Sequence, residues 1–300
     1  DSAVSRGLGD VYKRQVYDAL IQVQHRGQDA AGISTWDTEK ISTHKYTGLV
    51  TEVFKHQKTF DKLAGNIGIG HVRYPTAGGD NVSEAQPFFT ANPVNISLAH
   101  NGTLTNSEKL KEKLIKINFC QFNTNSDSEV LLKQFCYELY KTNFRKLTKT
   151  HVYKALNNVF QKCSGGYAVV MIVAGIGLVA FRDPKGIRPL SLGKYKNSYL
   201  IASESSAITA MGYDLVSDIK PGQVIIIDEQ GNIDKKRPIK GSTNQPCLFE
   251  YVYFSRPDST IDEISVHKSR LRMGDFLGEK ILRDYKNLDV DVVIPVPDTS

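Results

Sequence analysis

Hydrophobic positions recur along this chain with helical spacing in some segments and with strand spacing in others. The segment VYDALIQVQ places apolar residues along one face of a predicted helix that is capped at Gly27. Further helices are predicted in VYKALNNVFQKC and after Thr105 and Ser126, where a Glu three residues later completes a capping-box pattern. The last three helices follow one another in the sequence.

Strands are predicted on both sides of this group of helices. Before it lie AAGISTW, a short strand near Ile41, IGIGHV and NISLAH, and after it lie YAVVMIV, GLVAFRD, YLIAS and QVIIIDE. The glycines of GNIGIGH alternate with isoleucines and do not open a helix. They therefore predict a strand that its neighbours approach closely, not a phosphate-binding loop. Because strands flank the helices, the pattern predicts α+β layering and not a doubly wound fold.

The first 15 residues, DSAVSRGLGDVYKRQ, do not fit this pattern. Their hydrophobic side chains are scattered among Ser, Gly and charged residues, so we expect neither a strand nor a helix, and they lack the features of a signal peptide. Residues 1–15 are therefore interpreted as an artefactual segment. A composition shift at GSTNQP predicts a linker after a first domain of residues 16–245. Residues 246–300 are predicted to form the start of a second domain, with a helix in RLRMGDFLGEKILRDY and a strand in DVVIPVP.

Composition and charge narrow the classes of function. The 300 residues carry a net charge of +6, and 40% hydrophobic with 23% charged residues is typical of a globular protein. The densest basic cluster, KKRPIK, lacks aromatic residues, so it predicts a solvated loop or hairpin arm and no nucleic-acid binding. The longest apolar run is too short for a membrane span. Four widely spaced cysteines, none at metal-ligand spacing, favour reduced thiols in a cytoplasmic protein.

Three polar features could together bind an amino acid. The segment HNG is either a hairpin turn or a strand end that directs the Asn101 amide and the Gly102 N–H to one point, as an oxyanion hole requires. Arg73 could bind an α-carboxylate, and Asp127, in the first turn of a helix, could bind an α-ammonium. Each could equally be a surface charge or a partner of the helix dipole. From these residues alone both interpretations stay open.

Longer motifs carry a resemblance to a known family. They are QHRGQDAAGI, GIGHVRYPTAG, SEAQPF, LAHNGTLTN, TNSDSE, FRDPKGIRPL and CLFEYVYFSRPDS. They closely resemble the amidophosphoribosyltransferase family of class II glutamine amidotransferases, from about residue 16 to residue 300. The resemblance implies the four-layer αββα sandwich of the N-terminal nucleophile hydrolases, followed by the incomplete start of an α/β phosphoribosyltransferase domain.

The resemblance implies a glutaminase whose nucleophile is an N-terminal cysteine, with the α-amino group of that cysteine as general base. Asn101 and Gly102 would form the oxyanion hole, and Arg26 and Gly27 would lie next to the nucleophile. In the family an apolar strand that starts Cys-Gly precedes this region, where the present sequence has residues 1–15. We therefore expect the sequence as it stands to be inactive as a glutaminase, with the rest of the pocket in place.

For the substrates, the resemblance implies that Arg73 and Thr76 bind the glutamine carboxylate and that Asp127 binds the ammonium group. The ammonia would displace pyrophosphate from phosphoribosylpyrophosphate (PRPP) to give phosphoribosylamine, the first committed step of purine synthesis. This second reaction implies Mg²⁺ bound outside this sequence, and no metal ligand is predicted within it. An iron–sulfur cluster is not predicted, although Cys247 lies where some family members have a ligand. The family also suggests a homo-oligomer, a tetramer at full length.

Two other interpretations remain. The chain could be a glutamine-binding or scaffold module without a nucleophile. It could also be another class II amidotransferase, such as glucosamine-6-phosphate synthase or asparagine synthetase, which the segment FEYVYFSRPDS disfavours.

Overall fold

The computed structural model describes residues 2–6, 12–74, 82–286 and 289–294. Its strands are β1 Ser2–Arg6, β2 Ala30–Trp36, β3 Ile41–Thr47, β4 Ile67–Arg73, β5 Phe88–Thr90, β6 Ile96–Leu104, β7 Gly165–Val173, β8 Gly177–Arg182, β9 Ser191–Tyr195, β10 Ser198–Ala202, β11 Asp214–Asp218, β12 Val224–Ile227, β13 Ile233–Lys236, β14 Thr260–Ile261 and β15 Ile264–Ser265. Its α-helices are α1 Tyr12–Gln22, α2 Val50–Val53, α3 Gln57–Asp61, α4 Ser107–Lys116, α5 Asp127–Tyr140, α6 Lys149–Lys162, α7 Ser205–Ala210 and α8 Val266–Asp284.

Two antiparallel sheets pack face to face between two helical layers. The first sheet has the order β11-β9-β10-β1-β4-β2-β3 and the second has the order β13-β12-β8-β7-β6-β5. Trp36 and Ile69 of the first sheet and Val170 and Ile225 of the second belong to the apolar core between them. Helices α1, α2, α3 and α7 cover the outer face of the first sheet, and α4, α5 and α6 cover that of the second. This arrangement confirms the predicted α+β, αββα sandwich.

Helix α1 lies directly on β4 because β4 carries glycines at the contact. A Cβ atom on Gly70 would lie 2.8 Å from Val16 and 2.9 Å from Leu20, and Gly68 faces Val16 in the same way. Val16 and Leu20 are fully buried. The predicted helix and the predicted close approach at GNIGIGH are therefore both confirmed, and the helix begins four residues earlier than the apolar pattern indicated.

The expectation of neither strand nor helix in residues 1–15 is wrong. Ser2–Arg6 form β1, which lies between two strands of the first sheet, with Ala3 opposite Ala202 on one side and opposite Gly70 on the other. Pairing on both edges satisfies the backbone of this strand, so its tertiary context overrides its weak hydrophobic pattern. The interpretation of residues 1–15 as an artefactual segment concerns the origin of the sequence, which a fold does not test, so it stays a prediction.

Neither predicted capping box forms as the sequence pattern indicated. The capping box at Thr105 is wrong, because the Thr105 N–H donates to Ser164 O at 2.9 Å and continues the pairing of β6, so that α4 begins two residues later. Ser126 caps α5 as predicted, accepting from the Ser128 N–H. Glu129 does not return to Ser126, however, because its carboxylate accepts from the backbone and hydroxyl of Thr124 instead.

Gly27 does not cap α1. A 3₁₀ turn over Gln24–Arg26 follows the helix, and Gly27 has an extended backbone with φ of −174°. Glycine is required here for space, since a Cβ atom would lie 2.5 Å from the carbonyl carbon of Arg73. The HRG segment is thereby held against the end of β4.

The predicted linker GSTNQP lies along the loop that follows β8. The N–H groups of Thr243 and Gln245 donate to the carbonyl oxygens of Pro184 and Lys185 at 3.1 and 2.7 Å. A π-helical turn, Glu250–Phe254, comes next, and α8 confirms the predicted helix. The described part of DVVIPVP, residues 291–294, has no strand, and its last three residues lie outside the described ranges. The domain boundary at residue 245 stays a prediction.

Every helix in the part of the chain that the structure describes is too short or too polar to traverse a lipid bilayer.

Candidate functional site

The candidate site lies along one edge of β6. Strand β5 covers only the beginning of this edge, whereas β7 pairs with the opposite edge along the whole of β6. Beyond β5, the N–H groups of alternate residues point away from β7. At this edge His100 donates its N–H to Gln86 Oε1 at 2.8 Å, and Leu104 donates its N–H to Asp127 Oδ2 at 2.8 Å. The Gly102 N–H lies between these two and points to the same edge.

The Asn-Gly pair is part of a strand and not a turn. Asn101 and Gly102 pair with Ala168 and Tyr167 of β7, so the hairpin interpretation is wrong. Gly102 has a φ of +143°, and a Cβ atom there would overlap the carbonyl oxygen of Gly166. Only glycine combines this backbone with so close a neighbouring strand.

The Asn101 amide is oriented by an arginine that the sequence interpretation did not assign to the site. Asn101 Oδ1 accepts from Arg188 Nε at 3.1 Å and from Nη2 at 2.8 Å. Since a guanidinium group only donates, the amide nitrogen must point the other way. It faces Ser203 Oγ at 3.5 Å, directly after β10. Ala202, the preceding residue, pairs with Ala3, so the amide N–H is directed towards the start of β1.

Helix α5 is tied to β6 by buried polar groups. His100 Nδ1 lies 2.9 Å from Ser128 Oγ, and the Gln86 amide nitrogen donates to both His100 O and Ser128 Oγ at 3.1 Å. Burial lowers the pKa of His100 to about 4, and the nearby Asp127 carboxylate opposes this only partly. The imidazole is therefore neutral at physiological pH. This network fixes the Asp127 end of α5 beside Gly102.

Arg73 ends β4 among carboxylates. One terminal nitrogen pairs with Asp29, and the other lies 4.0 Å from Glu84. Glu84 also accepts from the Asn125 N–H at 3.1 Å, two residues before Asp127, so it connects the two predicted substrate-binding residues. The role of Arg73 as a carboxylate clamp stays a prediction. Thr76, predicted to share it, lies outside the described residues.

Arg26 lies in a buried network of carboxylates. Its guanidinium donates to Glu204 at 2.7 Å and to Glu250 at 2.8 and 2.9 Å, with Ser255 at 3.3 Å. Only 1% of Arg26 is exposed. Gly27, the next residue, lies against the backbone of Arg73 at the end of β4. The predicted place of both residues beside the nucleophile stays a prediction.

The two carboxylates of this network are ionised. Burial alone would raise the pKa of Glu204, but hydrogen bonding from His25 and the charge of Arg26 lower it to about 2. Burial likewise acts against ionisation of Glu250, and the charges of Arg26 and Arg188 hold the pKa of Glu250 below its usual range. Glu250 opens the π-helical turn, so the network joins the segment beyond residue 245 to the Asn101 side of the site.

Sequence reasoning missed Arg188, Glu204 and Glu250. Arg188 stands in the quoted motif FRDPKGIRPL, directly after a turn, and Glu250 opens EYVYF. The sequence signal that could have identified them is a charged residue placed directly after a turn or at the start of an element. Their pairing depends on the long-range packing of β8, β10 and the π-helical turn, which a local pattern does not contain.

Two cavities lie beside the β6 edge and not on it. Their volumes are about 500 and 470 Å³, and both are lined by Ser83, Asn123 and Thr124. Neither is lined by Asn101, Gly102 or Asp127. The hydrogen-bond geometry, and not cavity size, therefore locates the candidate site.

Burial makes three of the four cysteine side chains poor nucleophiles. Cys136 and Cys163 are buried in the helical layer of the second sheet, where burial raises the pKa of each thiol to about 12. Burial also raises the pKa of Cys120. All four cysteines are free thiols. Within residues 2–6, 12–74, 82–286 and 289–294, no three His, Cys, Asp or Glu side chains come together as metal ligands would.

Sequence comparisons find amidophosphoribosyltransferases among the relatives of this chain. A sequence model described as a glutamine amidotransferase domain matches residues 71–210. The amidophosphoribosyltransferases of Pseudomonas aeruginosa and Escherichia coli are 48% identical to the chain over 289 and 293 residues, and that of Saccharomyces cerevisiae is 45% identical over 295. These alignments cover 95 to 96% of this chain and 58% of each relative, so the chain spans little more than half the length of the curated relatives it matches.

Solved structures agree in fold. An allosteric regulatory enzyme of purine biosynthesis matches with a TM-score of 0.84 at 34% identity, covering 99% of this chain and 61% of that one. The glutamine PRPP amidotransferase of B. subtilis, complexed with ADP and GMP, matches with a TM-score of 0.83 at 33% identity, covering 100% of this chain and 62% of that one. Both likenesses extend over nearly the whole length of the chain.

Proposed function

We infer that this chain belongs to the amidophosphoribosyltransferase family, and on this premise we propose that the uncovered edge of β6 is a glutaminase site that releases ammonia from glutamine. The observation that carries the proposal is the Asn101 amide, whose Nδ2 lies 3.5 Å from Ser203 Oγ beside the start of β1, with Gly102 next to it on β6. In the proposed site the Asn101 amide and the Gly102 backbone N–H would both donate to the oxyanion of a tetrahedral intermediate.

The same edge offers a site for the other end of the substrate. Asp127 accepts from Leu104, two residues along the strand from Gly102, which corresponds to about 7 Å. An extended glutamine lying along this edge would place its amide at the oxyanion donors and its α-ammonium at the Asp127 carboxylate. Arg73 is connected to this region through Glu84, which also binds the segment before Asp127. Arg73 would bind the α-carboxylate of the substrate in place of one of its two present carboxylate partners.

The nucleophile in this proposal is an N-terminal cysteine immediately ahead of Ser2. Ser2 pairs with His71, and the neighbouring Ala3 pairs with Ala202, so a residue ahead of Ser2 would extend towards Ser203 and the Asn101 amide. The α-amino group takes the thiol proton, and the sulfur attacks the amide carbon of glutamine. The tetrahedral intermediate collapses with release of ammonia, which receives that proton. Water then hydrolyses the thioester to glutamate and restores the thiol.

For the whole protein we propose that this ammonia displaces pyrophosphate from PRPP and forms phosphoribosylamine, the first committed step of purine synthesis. The support is the identity of 45 to 48% to amidophosphoribosyltransferases, of whose length this chain spans 58%. The Mg²⁺ that this second reaction uses would bind outside the chain, and we assign no metal or iron–sulfur role to its residues, Cys247 included. A cytoplasmic homo-oligomer is the corresponding form of the full-length protein.

The test is glutamate release by a version in which Cys with a free α-amino group replaces Asp1. We expect glutamine hydrolysis from this Asp1→Cys protein and at least a hundredfold less from an otherwise identical Asp1→Ala protein. Glutamine binding to both proteins without hydrolysis by either would favour the glutamine-binding module instead. For the full-length protein, formation of phosphoribosylamine from PRPP and glutamine tests the second reaction.

A further inference from the structure

We propose that Arg188 is a positioning residue of the glutaminase, which holds the Asn101 amide with its N–H donors turned to the oxyanion. The proposal rests on the proposed function of the β6 edge. Arg188 does not itself lie at the donor point, and its effect on the reaction passes through Asn101.

An asparagine amide can present either its oxygen or its nitrogen to a reacting group, and only the nitrogen stabilises an oxyanion. On the side of the reaction, the partner of the Asn101 amide is Ser203 Oγ, at a long 3.5 Å. A hydroxyl both donates and accepts, so Ser203 stabilises either orientation. Arg188 contacts the other end of the amide with two N–H donors. A guanidinium has no acceptor, so the amide oxygen must face it. Arg188 therefore selects the productive orientation.

Arg188 is itself held rigidly. Its Nε and Nη2 are bound to Asn101 Oδ1, and Nη1 lies 3.1 Å from Glu250 Oε1. The guanidinium also lies 5.3 Å from the centre of the Phe254 ring, and 16% of the side chain is exposed. Glu250 is in turn fixed by Arg26 and by the Ser255 hydroxyl, at 2.9 Å. Both ends of the π-helical turn Glu250–Phe254 therefore contact Arg188, and through Arg188 this turn positions the Asn101 amide.

The charge of Arg188 adds to this geometric effect. A cation that binds the amide oxygen draws electron density from the amide, which makes its N–H a stronger donor. Both the orientation and the stronger donor matter more for the transition state than for the bound substrate, so they act on kcat and not on the KM for glutamine.

The experiment compares variants of the Asp1→Cys protein. Arg188→Met keeps the apolar stem and removes all donors, and we expect it to lower kcat about 10- to 50-fold with the KM for glutamine within twofold. Arg188→Lys keeps a charge and one donor and should recover part of this loss. In an Asn101→Ala background, Arg188→Met should change kcat less than twofold, because the amide through which it acts is absent.

A matched control is Asp262→Asn. Asp262 pairs with Arg182 at 2.7 and 2.8 Å and ties the same C-terminal segment to the sandwich, without contacting Asn101 or Arg188. It should leave kcat within twofold. An Arg188→Met loss of equal size in the presence and absence of the Asn101 amide would overturn the proposal, as would an effect on KM alone.

A second measurement does not need catalysis. The side-chain amide resonances of Asn101 in a ¹H–¹⁵N spectrum, assigned by their loss in Asn101→Asp, should shift and broaden in Arg188→Met and stay in place in Asp262→Asn. Unchanged Asn101 resonances in Arg188→Met would refute the positioning role. If the Asp1→Cys protein releases no glutamate but these resonances respond as expected, the proposed glutaminase fails while the orientation of Asn101 by Arg188 stands.

Discussion

The backbone N–H of Leu104 donates a 2.8 Å hydrogen bond to Oδ2 of Asp127. This bond ties the first residue of α5 to the strand that carries Asn101 and Gly102. Asp127 therefore serves the fold through one carboxylate oxygen, which leaves the charge of the group and its second oxygen for a substrate ammonium. The two roles can be separated by substitution.

Asp127→Asn should raise the KM for glutamine about tenfold with kcat nearly unchanged, because it keeps an acceptor for Leu104 and loses only the charge. Steady-state kinetics of the Asp1→Cys protein measures this. Asp127→Ala removes the acceptor as well and should also lower the free energy of unfolding, by about 1 to 3 kcal/mol. A KM that stays constant in Asp127→Asn would assign the carboxylate to the helix alone.

Asn101→Ala should lower kcat about 10²- to 10³-fold, the usual cost of removing one oxyanion donor. Rates of glutamate release by the Asp1→Cys protein give this number directly. Thr103→Ala is the control, since Thr103 lies on the same strand with its side chain exposed. If Asn101→Ala and Thr103→Ala have the same kcat, Asn101 does not donate to the oxyanion.

Gly102→Ala should destabilise the protein by about 2 to 4 kcal/mol, because a Cβ at a φ of +143° is strained and also overlaps Gly166 O. Gly175→Ala provides the comparison. Gly175 has a φ of +77° with no atom within 4 Å of its Cβ position, so alanine there adds strain without a clash. The difference between the two free energies of unfolding, measured in urea, isolates the contribution of the β6–β7 approach. Equal losses would show that β7 yields at Gly166.

Acid should weaken the fold through its buried histidines. The pKa of His100 is about 4 in the folded protein, below its ordinary value of 6.5, so the neutral ring stabilises the fold above pH 6.5 and this stability is lost as the pH falls towards 4. The difference corresponds to about 3 kcal/mol. Burial also lowers the pKa of His71, which acts in the same direction.

Urea unfolding at pH 7 and pH 4.5 measures this dependence. His100→Gln should have a shallower decline between the two pH values, with the remainder due mainly to His71. An identical decline in the variant and the parent would mean that His100 does not titrate on unfolding.

Local patterns predicted most of the fold. The apolar stripe of α1 and the strands from AAGISTW to QVIIIDE reappear in the structure because their side chains face the cores that the pattern implied. Strand β1 was missed because its stability comes from pairing on both edges and not from its own residues. The Thr105 capping box failed for a similar reason, since strand pairing with Ser164 took the N–H that begins the predicted helix.

The candidate site was predicted in part. Asn101, Gly102 and Asp127 could be singled out because a strand end and a helix start have characteristic sequences, and the structure brings the three to one edge of β6. The orientation of Asn101 could not be predicted, since Arg188 reaches it across the fold. The carboxylate partners of Arg73 could not be predicted from the sequence either. Asp29 and Glu84 approach Arg73 only after β2, β4 and the segment before β5 have assembled.

The central position of β1 has a consequence for how the protein is made. One neighbour of this strand, β4, is complete once Arg73 has been synthesised, whereas the other, β10, is complete only at Ala202. Such long-range pairing forms late, because the loop-closure entropy must be overcome first. An N-terminal nucleophile ahead of Ser2 would meet Ser203 and the Asn101 amide only after both strands that pair with β1 have left the ribosome. A nascent chain would therefore release no ammonia before its sandwich is closed.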